Sequence, residues 1–432
     1  MKLSTAPYKG ARDFYPEDKL KQNYMFGVLR SVVKSYGYEE YDAPILEALE
    51  LYKAKSGEEI VSQQTYNFTD RGGREVAIRP EMTPTVSRMV AARRQELVYP
   101  LRWFSAPNLW RYERPQKGRL REHWQLNVDL FGVSGQLAET ELIMIADSIF
   151  KAFKANREMY HIKLNHRGLM DYLFANYLKL DSKQAYATAK LIDRKAKMPI
   201  SDFLSQLDSL LSPEQKKRGL AEKLLTVLEA KSLKDLPIEL RNSEPAQEIA
   251  QLLSDVSEVG LDNVVFDPTL MRGFDYYNGL VFELYDNHPD NNRSLMGGGR
   301  YDGLVGLFGV QPVPTVGFGL GDATLANFLE LHGLMPDLKP ETDIYLAIVL
   351  NEDNGGLKTA TKLRSAGLNV AVDFVHKKLG DQLKTAQKKN IRYVVIVGSE
   401  ELKSNQFTLR DLQESSERKL SIEQIASLLK AK

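Results

Sequence analysis

Arginine set beside carboxylates and amides can hold an anion and a polar ligand together, and residues 109–132, LWRYERPQKGRLREHWQLNVDLFG, carry that set at strand spacing. Trp110, Tyr112 and Arg114 alternate with Arg111 and Glu113. Further on, Trp124, Leu126, Val128 and Leu130 alternate with His123, Gln125, Asn127 and Asp129. Period two gives each strand one packing face and one polar face, so Arg111, Glu113, Gln125 and Asp129 can converge on one patch. Pro115 to Arg121 is a cationic loop between them, and all three tryptophans fall in or just before the stretch. The same residues also read as a charged surface hairpin.

A second cluster is Leu270-Met271-Arg272-Gly273-Phe274-Asp275-Tyr276-Tyr277-Asn278-Gly279. An arginine beside glycine, where a ligand can approach the backbone, suits an anion or a developing negative charge; an ion pair between Arg272 and Asp275 is the alternative. Tyr276 and Tyr277 can wall a small ligand. Gly297–Gly299 and the glycines of Gly317-Phe318-Gly319-Leu320-Gly321 read equally as backbone-approach sites or as tight turns. The second is not the dinucleotide fingerprint, because the spacing is wrong and no second strand with an acidic end follows. Glu81 stands just before Thr83-Pro84, a helix start in which the hydroxyl is expected to cap free amides.

These groups need positioning elements. Helical spacing covers about 16–36 and stops at Gly37, a strand is predicted over 38–46, and a hairpin over 65–69 and 75–78. A helix follows over 138–156 and a strand over 160–164. From about 168 to 256 the pattern is helical, with hinges at Met198-Pro199 and Ser212-Pro213, before glycine-rich strands return at 264–320. After a linker at 332–342, alternating strands (344–350, 370–374, 393–397) and helices (356–366, 379–389, 422–429) predict a small α/β domain with a largely parallel sheet. Residues 342–432 hold fifteen Lys and Arg against eleven Asp and Glu, a local net of +4. Lys377, Lys378, Lys384, Lys388, Lys389 and Arg392 cluster there, either as a nucleic-acid face or as a solvated helix face.

A chain of 432 residues makes roughly two to four domains. With 43% hydrophobic and 27% charged residues it has the composition of a globular protein, and a formal net charge of +1 leaves any anionic partner to local patches. The absence of cysteine excludes disulfides, thiolate metal sites and cysteine nucleophiles, and no two of the six histidines stand at metal-ligand spacing. The start has no leader-like apolar run and no stretch reaches membrane-span length, so a cytoplasmic protein is expected, with no membrane partner.

Together these stretches resemble the histidyl-tRNA synthetases, a class II aminoacyl-tRNA synthetase family, over essentially the whole chain. RYERPQKGRLREHWQLNVDLFG resembles motif 2; Arg-Gly-Phe-Asp-Tyr-Tyr-Asn-Gly at 272–279 and Gly-Gly-Gly-Arg-Tyr-Asp-Gly at 297–303 are similar to the two histidine signatures. Residues 37–44 fit motif 1, the dimer-forming helix and strand, and Arg79 to Thr83 matches the amino-acid-binding turn. The resemblance implies an α+β fold, a class II antiparallel sheet flanked by helices, with a helical insertion and a C-terminal α/β anticodon-binding domain. The implied boundaries are 1–167 and 257–331 for the catalytic domain, 168–256 for the insertion and 341–432 for the anticodon-binding domain.

It further implies a histidine–tRNA ligase that activates L-histidine with ATP and Mg²⁺, then transfers it to the 3′-terminal adenosine of tRNA(His), as a homodimer. Arg111 would hold the α-phosphate, Glu113 the adenine amino group and Arg119 the outer phosphates. Glu81, Met82, Thr83, Gln125, Asp129, Tyr276 and Tyr277 would bind histidine, Arg272 and Arg111 would stabilise the phosphorus transition state, and Gln116 and Arg121 would touch the tRNA acceptor end. No side chain is expected to hold a metal. Two positions depart from the family: Asp129 stands where Glu is commoner, and Thr324 stands where motif 3 ends in an arginine that grips adenine and the γ-phosphate. Arg79, Arg88, Arg93, Arg94 and Arg300 are the candidates to replace it. The rival reading is the regulatory subunit of ATP phosphoribosyltransferase, a relative without charging chemistry that is expected to lack the Arg272 signature and the C-terminal domain. A threonine or proline synthetase would lack both histidine signatures.

Overall fold

Pro16, which needs no hydrogen bond in a first turn, and the acidic Glu17 and Asp18 open a helix over Pro16–Ser35 (α1). Met25, Phe26, Leu29 and Val33 form its buried stripe. Gly37, at φ +80°, takes the left-handed conformation that ends it. The computed structural model describes residues 3–53, 64–116, 118–195, 198–271, 276–291, 293–349, 353–375 and 377–430.

In place of one strand over 38–46 there are two short ones in different sheets, Glu39–Glu40 (β1) and Leu46–Ala48 (β2). Pro44 has no N–H to pair and the Ala43 carbonyl is taken by Arg79 Nη1 at 2.6 Å, so no ladder runs through. After Glu50–Lys53 (α2), the expected hairpin is present as Tyr66–Thr69 (β3) and Glu75–Ile78 (β4), and β2, β4 and β3 make a small sheet in that order.

Thr83–Ala92 (α3), Leu101–Ser105 (β5), Asn108–Trp110 (β6), Glu122–Phe131 (β7), Leu137–Ala152 (α4) and Tyr160–His166 (β8) follow. The alternation through Arg114 predicts a longer first arm than β6. It is cut short because the Arg111 amide bonds Arg121 O (2.8 Å) while the next amide, Tyr112, turns to Gln64 O (2.7 Å). The helical stretch comprises Arg167–Tyr172 (α5), Ser182–Arg194 (α6), Ile200–Leu210 (α7), Pro213–Lys217 (α8), Leu220–Leu228 (α9), Ile238–Arg241 (α10) and Glu244–Glu258 (α11). Its buried Phe203, Leu224, Ile249 and Leu252 join the same apolar core as β7 and α4.

Val264–Phe266 (β9), Leu280–Asp286 (β10), Ser294–Arg300 (β11), Thr315–Gly321 (β12) and Asp322–Leu331 (α12) complete this part. The main sheet runs β1-β5-β7-β12-β11-β10-β8-β9, with β6 also paired to β7. Only β1–β5 and β8–β9 are parallel. The result is the expected antiparallel sheet flanked by helices. Both glycine runs lie inside β11 and β12, near its centre, and neither is a turn.

The chain divides into two compact units, residues 1–14 with 22–335, and residues 15–21 with 336–432. The second contains Ile344–Ile348 (β13), Asp353–Ser365 (α13), Val370–Val372 (β14), Leu379–Lys388 (α14), Tyr393–Val397 (β15), Ser399–Ser404 (α15), Phe407–Asp411 (β16), Ser416–Leu420 (β17) and Ile422–Lys430 (α16). Strands β14, β13 and β15 are parallel, as expected, but β16 and β17 add an antiparallel hairpin. The sequence hides that hairpin because β17 is almost wholly exposed and its Ser-Glu-Arg-Lys reads as loop.

Candidate active site

Strand β7 is buried throughout from Leu126 to Phe131, so its alternation serves two interiors. Leu126, Val128 and Leu130 enter the core, while His123, Gln125, Asn127 and Asp129 share the other face. On that face the antiparallel register sets Gly317 opposite Asp129, Gly319 opposite Asn127 and Gly321 opposite Gln125. A Cβ on Gly317 would overlap the Asp129 carboxylate, and one on Gly319 would overlap the Gln125 amide. The glycines clear a trough for polar side chains.

Glu81, Thr83, Gln125, Asp129, Tyr276 and Tyr277 line one cavity, flanked by Arg111. Asn127 and Tyr301 line it too, and neither was assigned a role from sequence. Tyr301 lies in the Gly-Gly-Gly-Arg-Tyr-Asp signature, and Asn127 on the same alternation as Gln125 and Asp129; those were the available signals. Met82 is fully buried and does not line the cavity. It, and not Thr83, occupies the cap position of α3, and no side chain caps that helix; Thr83 is its first residue. Glu81 is presented by the turn that Arg79 ties down, through Nη1 to Ala43 O and Nε to Asn108 O (3.0 Å).

Asp129 is 3% exposed. Its Oδ1 accepts a short hydrogen bond from the Tyr301 hydroxyl, while Oδ2 is buried with no partner among the described residues. Burial pushes its carboxyl up to about 7, although the Tyr301 bond pulls the other way. Glu81, also buried, accepts from the Tyr276 hydroxyl at 3.2 Å. The rings of Tyr276, Tyr277 and Tyr301 pack together, 4.7 to 6.2 Å between centroids. The cavity is therefore an acceptor-rich box with an aromatic wall, suited to a small ligand bearing several N–H donors.

Toward the other end of β7 the groups are cationic. Arg111 Nε donates to Pro80 O at 2.9 Å. Arg119 pairs with Glu113 at 2.8 Å, and Arg293 donates to Gln116 Oε1 at 2.6 Å. Arg121 lies over the exposed Tyr112 ring at 4.0 Å and is bonded to Glu113 O and the Tyr8 hydroxyl. His123 sits among these guanidiniums: burial first, then Arg111 and Arg12, drive it down to about 3, so it is neutral at physiological pH. Arg272 lies outside the described residues. Thr324 spends its hydroxyl on Leu295 O and Gly321 O, both at 3.0 Å. The five arginines expected to stand in for it are all committed elsewhere. Arg79 holds the Glu81 turn, Arg88 pairs with Glu47, Arg93 with Glu96 and Arg300 with Glu139, and Arg94 bonds Gln311 O.

In the second unit Lys377, Lys378, Lys384, Lys388 and Lys389 are exposed beside the exposed Phe374. Arg392 does not belong to that face, because Asp411 takes its guanidinium at 2.7 Å.

A family model described as Histidyl-tRNA synthetase matches residues 10–325, and one described as Anticodon binding domain matches residues 347–432. A histidine–tRNA ligase of Leptospira biflexa is 45% identical over 415 residues, covering 95% of this chain and 94% of that protein. One of Thermoplasma volcanium is 37% identical, covering 94% and 93%. In fold, the chain is similar to the crystal structure of histidyl-tRNA synthetase from Nostoc sp. PCC 7120, with TM-score 0.79, 24% identity and full coverage of both chains. It is also similar to an ATP phosphoribosyltransferase regulatory subunit/histidyl-tRNA synthetase from Bacillus halodurans, with TM-score 0.74, 24% identity, and 92% of this chain and 99% of that one covered.

Proposed function

The chain belongs to the histidyl-tRNA synthetase family, and we propose that the cavity at Asp129 is where it takes up the amino acid it activates. The activity is that of a histidine–tRNA ligase: histidine and ATP give histidyl adenylate and pyrophosphate, and the histidyl group then passes to tRNA. The observation that carries the site assignment is the buried Asp129 Oδ2 without a partner among the described residues. A buried acceptor left unmet costs about 1–3 kcal/mol, which an imidazole N–H restores and a side chain without a donor does not. Glu81 and Gln125 supply further acceptors for the ligand's amino group and ring, and the three tyrosines close over it.

Arg111 lies between this box and the cations around His123, at the place for the α-phosphate. The nucleophile is the substrate's own carboxylate: one of its oxygens bonds to the α-phosphorus as the bond to pyrophosphate breaks, so no protein nucleophile is required. Negative charge gathers on the phosphorus oxygens, and Arg111, with Arg272, stabilises it. Glu113 and Arg119, now paired with each other, would part to take the adenine amino group and the outer phosphates. Mg²⁺ would neutralise phosphate charge when bound. Among the described residues no group of three or more His, Asp or Glu could hold a metal, so the ion would ride on the nucleotide's phosphates.

Transfer to tRNA(His) would use Gln116 at the acceptor end. Arg121 would shape the loop from within, since its guanidinium is stacked and bonded there. Helices α5 to α11 would form the insertion that meets the acceptor stem, and the lysines of 377–389, with Phe374 for stacking, the anticodon face. We further propose a homodimer through α1 and β1, and a cytoplasmic location. Among the described residues no helix is long and apolar enough to cross a membrane. The regulatory reading is the weaker one, given ligases at 45% identity and the anticodon-binding match. Pyrophosphate exchange with each of the twenty amino acids tests the proposal: histidine alone should support it, and no exchange with histidine would refute it.

A further inference from the structure

Thr324 leaves the nucleotide end one cation short, and its hydroxyl is already shared between two carbonyls. Arg79, Arg88, Arg93, Arg94 and Arg300 each have a protein partner, and a further guanidinium, on the N-terminal segment, lies beside Asp322.

The segment from Tyr8 to Arg12 lies against the motif 2 strands. Gly10 O accepts the amides of Arg121 (2.9 Å) and Glu122 (3.2 Å), and a Cβ on Gly10 would press to 2.7 Å from Arg121 Cγ, so the contact requires glycine. Two residues on, Arg12 Nη2 reaches Asp322 Oδ2 at 2.6 Å. Asp322, 1% exposed in its side chain, stands two residues before Thr324 and is fixed on its other oxygen by the Trp124 amide at 3.0 Å. The Arg12 guanidinium also lies 4.8 Å over the Phe14 ring, which packs edge-on against Trp124. It is held from two sides.

What remains of that guanidinium points to a ligand. Arg12 makes one hydrogen bond to protein among the described residues, and its Nε is buried with no acceptor. A guanidinium has five N–H groups in a planar fork, and a single carboxylate oxygen satisfies one of them. Arg12, Arg111 and Arg119 all act on His123, which gathers three guanidiniums around one imidazole. That imidazole is six residues along β7 from Asp129, about 20 Å at strand rise, on the same polar face. Histidine bound at Asp129 therefore leaves the outer phosphates of the nucleotide to this end. We propose that Arg12, anchored by Asp322, binds the terminal phosphates of ATP in place of the motif 3 arginine.

The assignment rests on the amino-acid-activating site proposed above, and its test keeps the two apart. In the full-length protein, Arg12→Gln can keep an amide bond to Asp322 and loses only the cation. Binding of ATP should weaken about 10- to 100-fold, while AMP, which lacks the terminal phosphates, and histidine stay within about twofold. Arg12→Lys should recover part of the loss, and Lys216→Ala, which breaks an exposed ion pair with Asp208 in the helical stretch, should leave ATP binding intact. Equal weakening of ATP and AMP, with a lowered melting temperature, would make Arg12 a structural residue and overturn the proposal. So would unchanged ATP binding in Arg12→Gln, or an equal loss in Lys216→Ala. Wild-type protein without histidine-dependent pyrophosphate exchange would refute the activating site itself, whereas an active wild type with an indifferent Arg12→Gln would refute this assignment alone.

Discussion

The two ends of the polar face of β7 are built on opposite terms. At Asp129 the strands close over a carboxylate and raise its affinity for protons, and one of its oxygens has no donor among the described residues. Around His123 the charged groups have already found one another, as in Arg119–Glu113, whose arginine is half-exposed. An unmet acceptor in a sealed box selects a ligand by what it can donate, because a wrong ligand leaves the deficit in place. Paired charges near solvent select little on their own, but they can exchange partners as a large anion arrives and leaves. On the proposed assignment of the site, selectivity for the amino acid belongs to the rigid end, and turnover of the nucleotide to the exchangeable one.

The largest effect should come from the cation proposed to act on the phosphorus with Arg111. Arg272→Ala is expected to lower the rate of adenylate formation by roughly 3–4 kcal/mol, about 10²- to 10³-fold, with histidine binding kept; single-turnover kinetics and equilibrium binding separate the two. Equal loss in both would place Arg272 in the rigid box as a substrate clamp.

Asp129→Asn sharpens the comparison by working in opposite directions on binding and stability. Loss of a charged acceptor should weaken histidine by about 1.5–3 kcal/mol, read as KM in pyrophosphate exchange, with ATP little changed. The folded-state pKa of Asp129 lies above its ordinary value, so the cost of ionising it is absent below about pH 4 and grows as pH rises toward 7. The variant should therefore melt at a higher temperature than wild type at pH 8, with the difference vanishing in acid. In wild type, KM for histidine should climb as pH falls below about 7, where the carboxylate takes up a proton.

At the second unit, replacing Lys377, Lys378, Lys384 and Lys388 together by Ala should lower tRNA charging about tenfold near physiological salt and flatten its salt dependence. Histidine-dependent exchange without tRNA should not change. The smallest effect is expected from Glu113→Gln, a few-fold on KM for ATP, because its partner Arg119 is half-exposed and glutamine keeps an acceptor oxygen. A hundredfold loss there would show that the nucleotide end is as rigidly built as the histidine end.

The rigid end was the more legible in sequence. Strand period alone puts Gln125, Asn127 and Asp129 on one face, and the glycine runs mark where backbone must give way, although not that they lie within strands. Tyr301 escaped notice because its bond to Asp129 joins residues that are 172 apart in the chain. The exchangeable end was legible in composition and not in partnership. Nothing local says that Arg119 meets Glu113, that Arg121 stacks on Tyr112, or that Arg392 pairs with Asp411. A guanidinium on a long side chain can reach many partners, and only the fold chooses; Arg12 and Asp322, 310 residues apart, are the extreme case. The helix at Thr83 shows the reverse, a local signal overridden when Met82 took the cap position with its side chain in the core.

The account turns on Asp129 being a proton-hungry carboxylate that waits for the ligand's N–H. Carboxyl ¹³C NMR of aspartate-labelled protein, with Asp129→Asn to identify the resonance, measures that directly. One carboxyl should titrate near 7 in the free protein and fall well below that once histidine is bound. A resonance that titrates in the ordinary carboxylate range in the free protein, or that histidine leaves unmoved, would contradict the account.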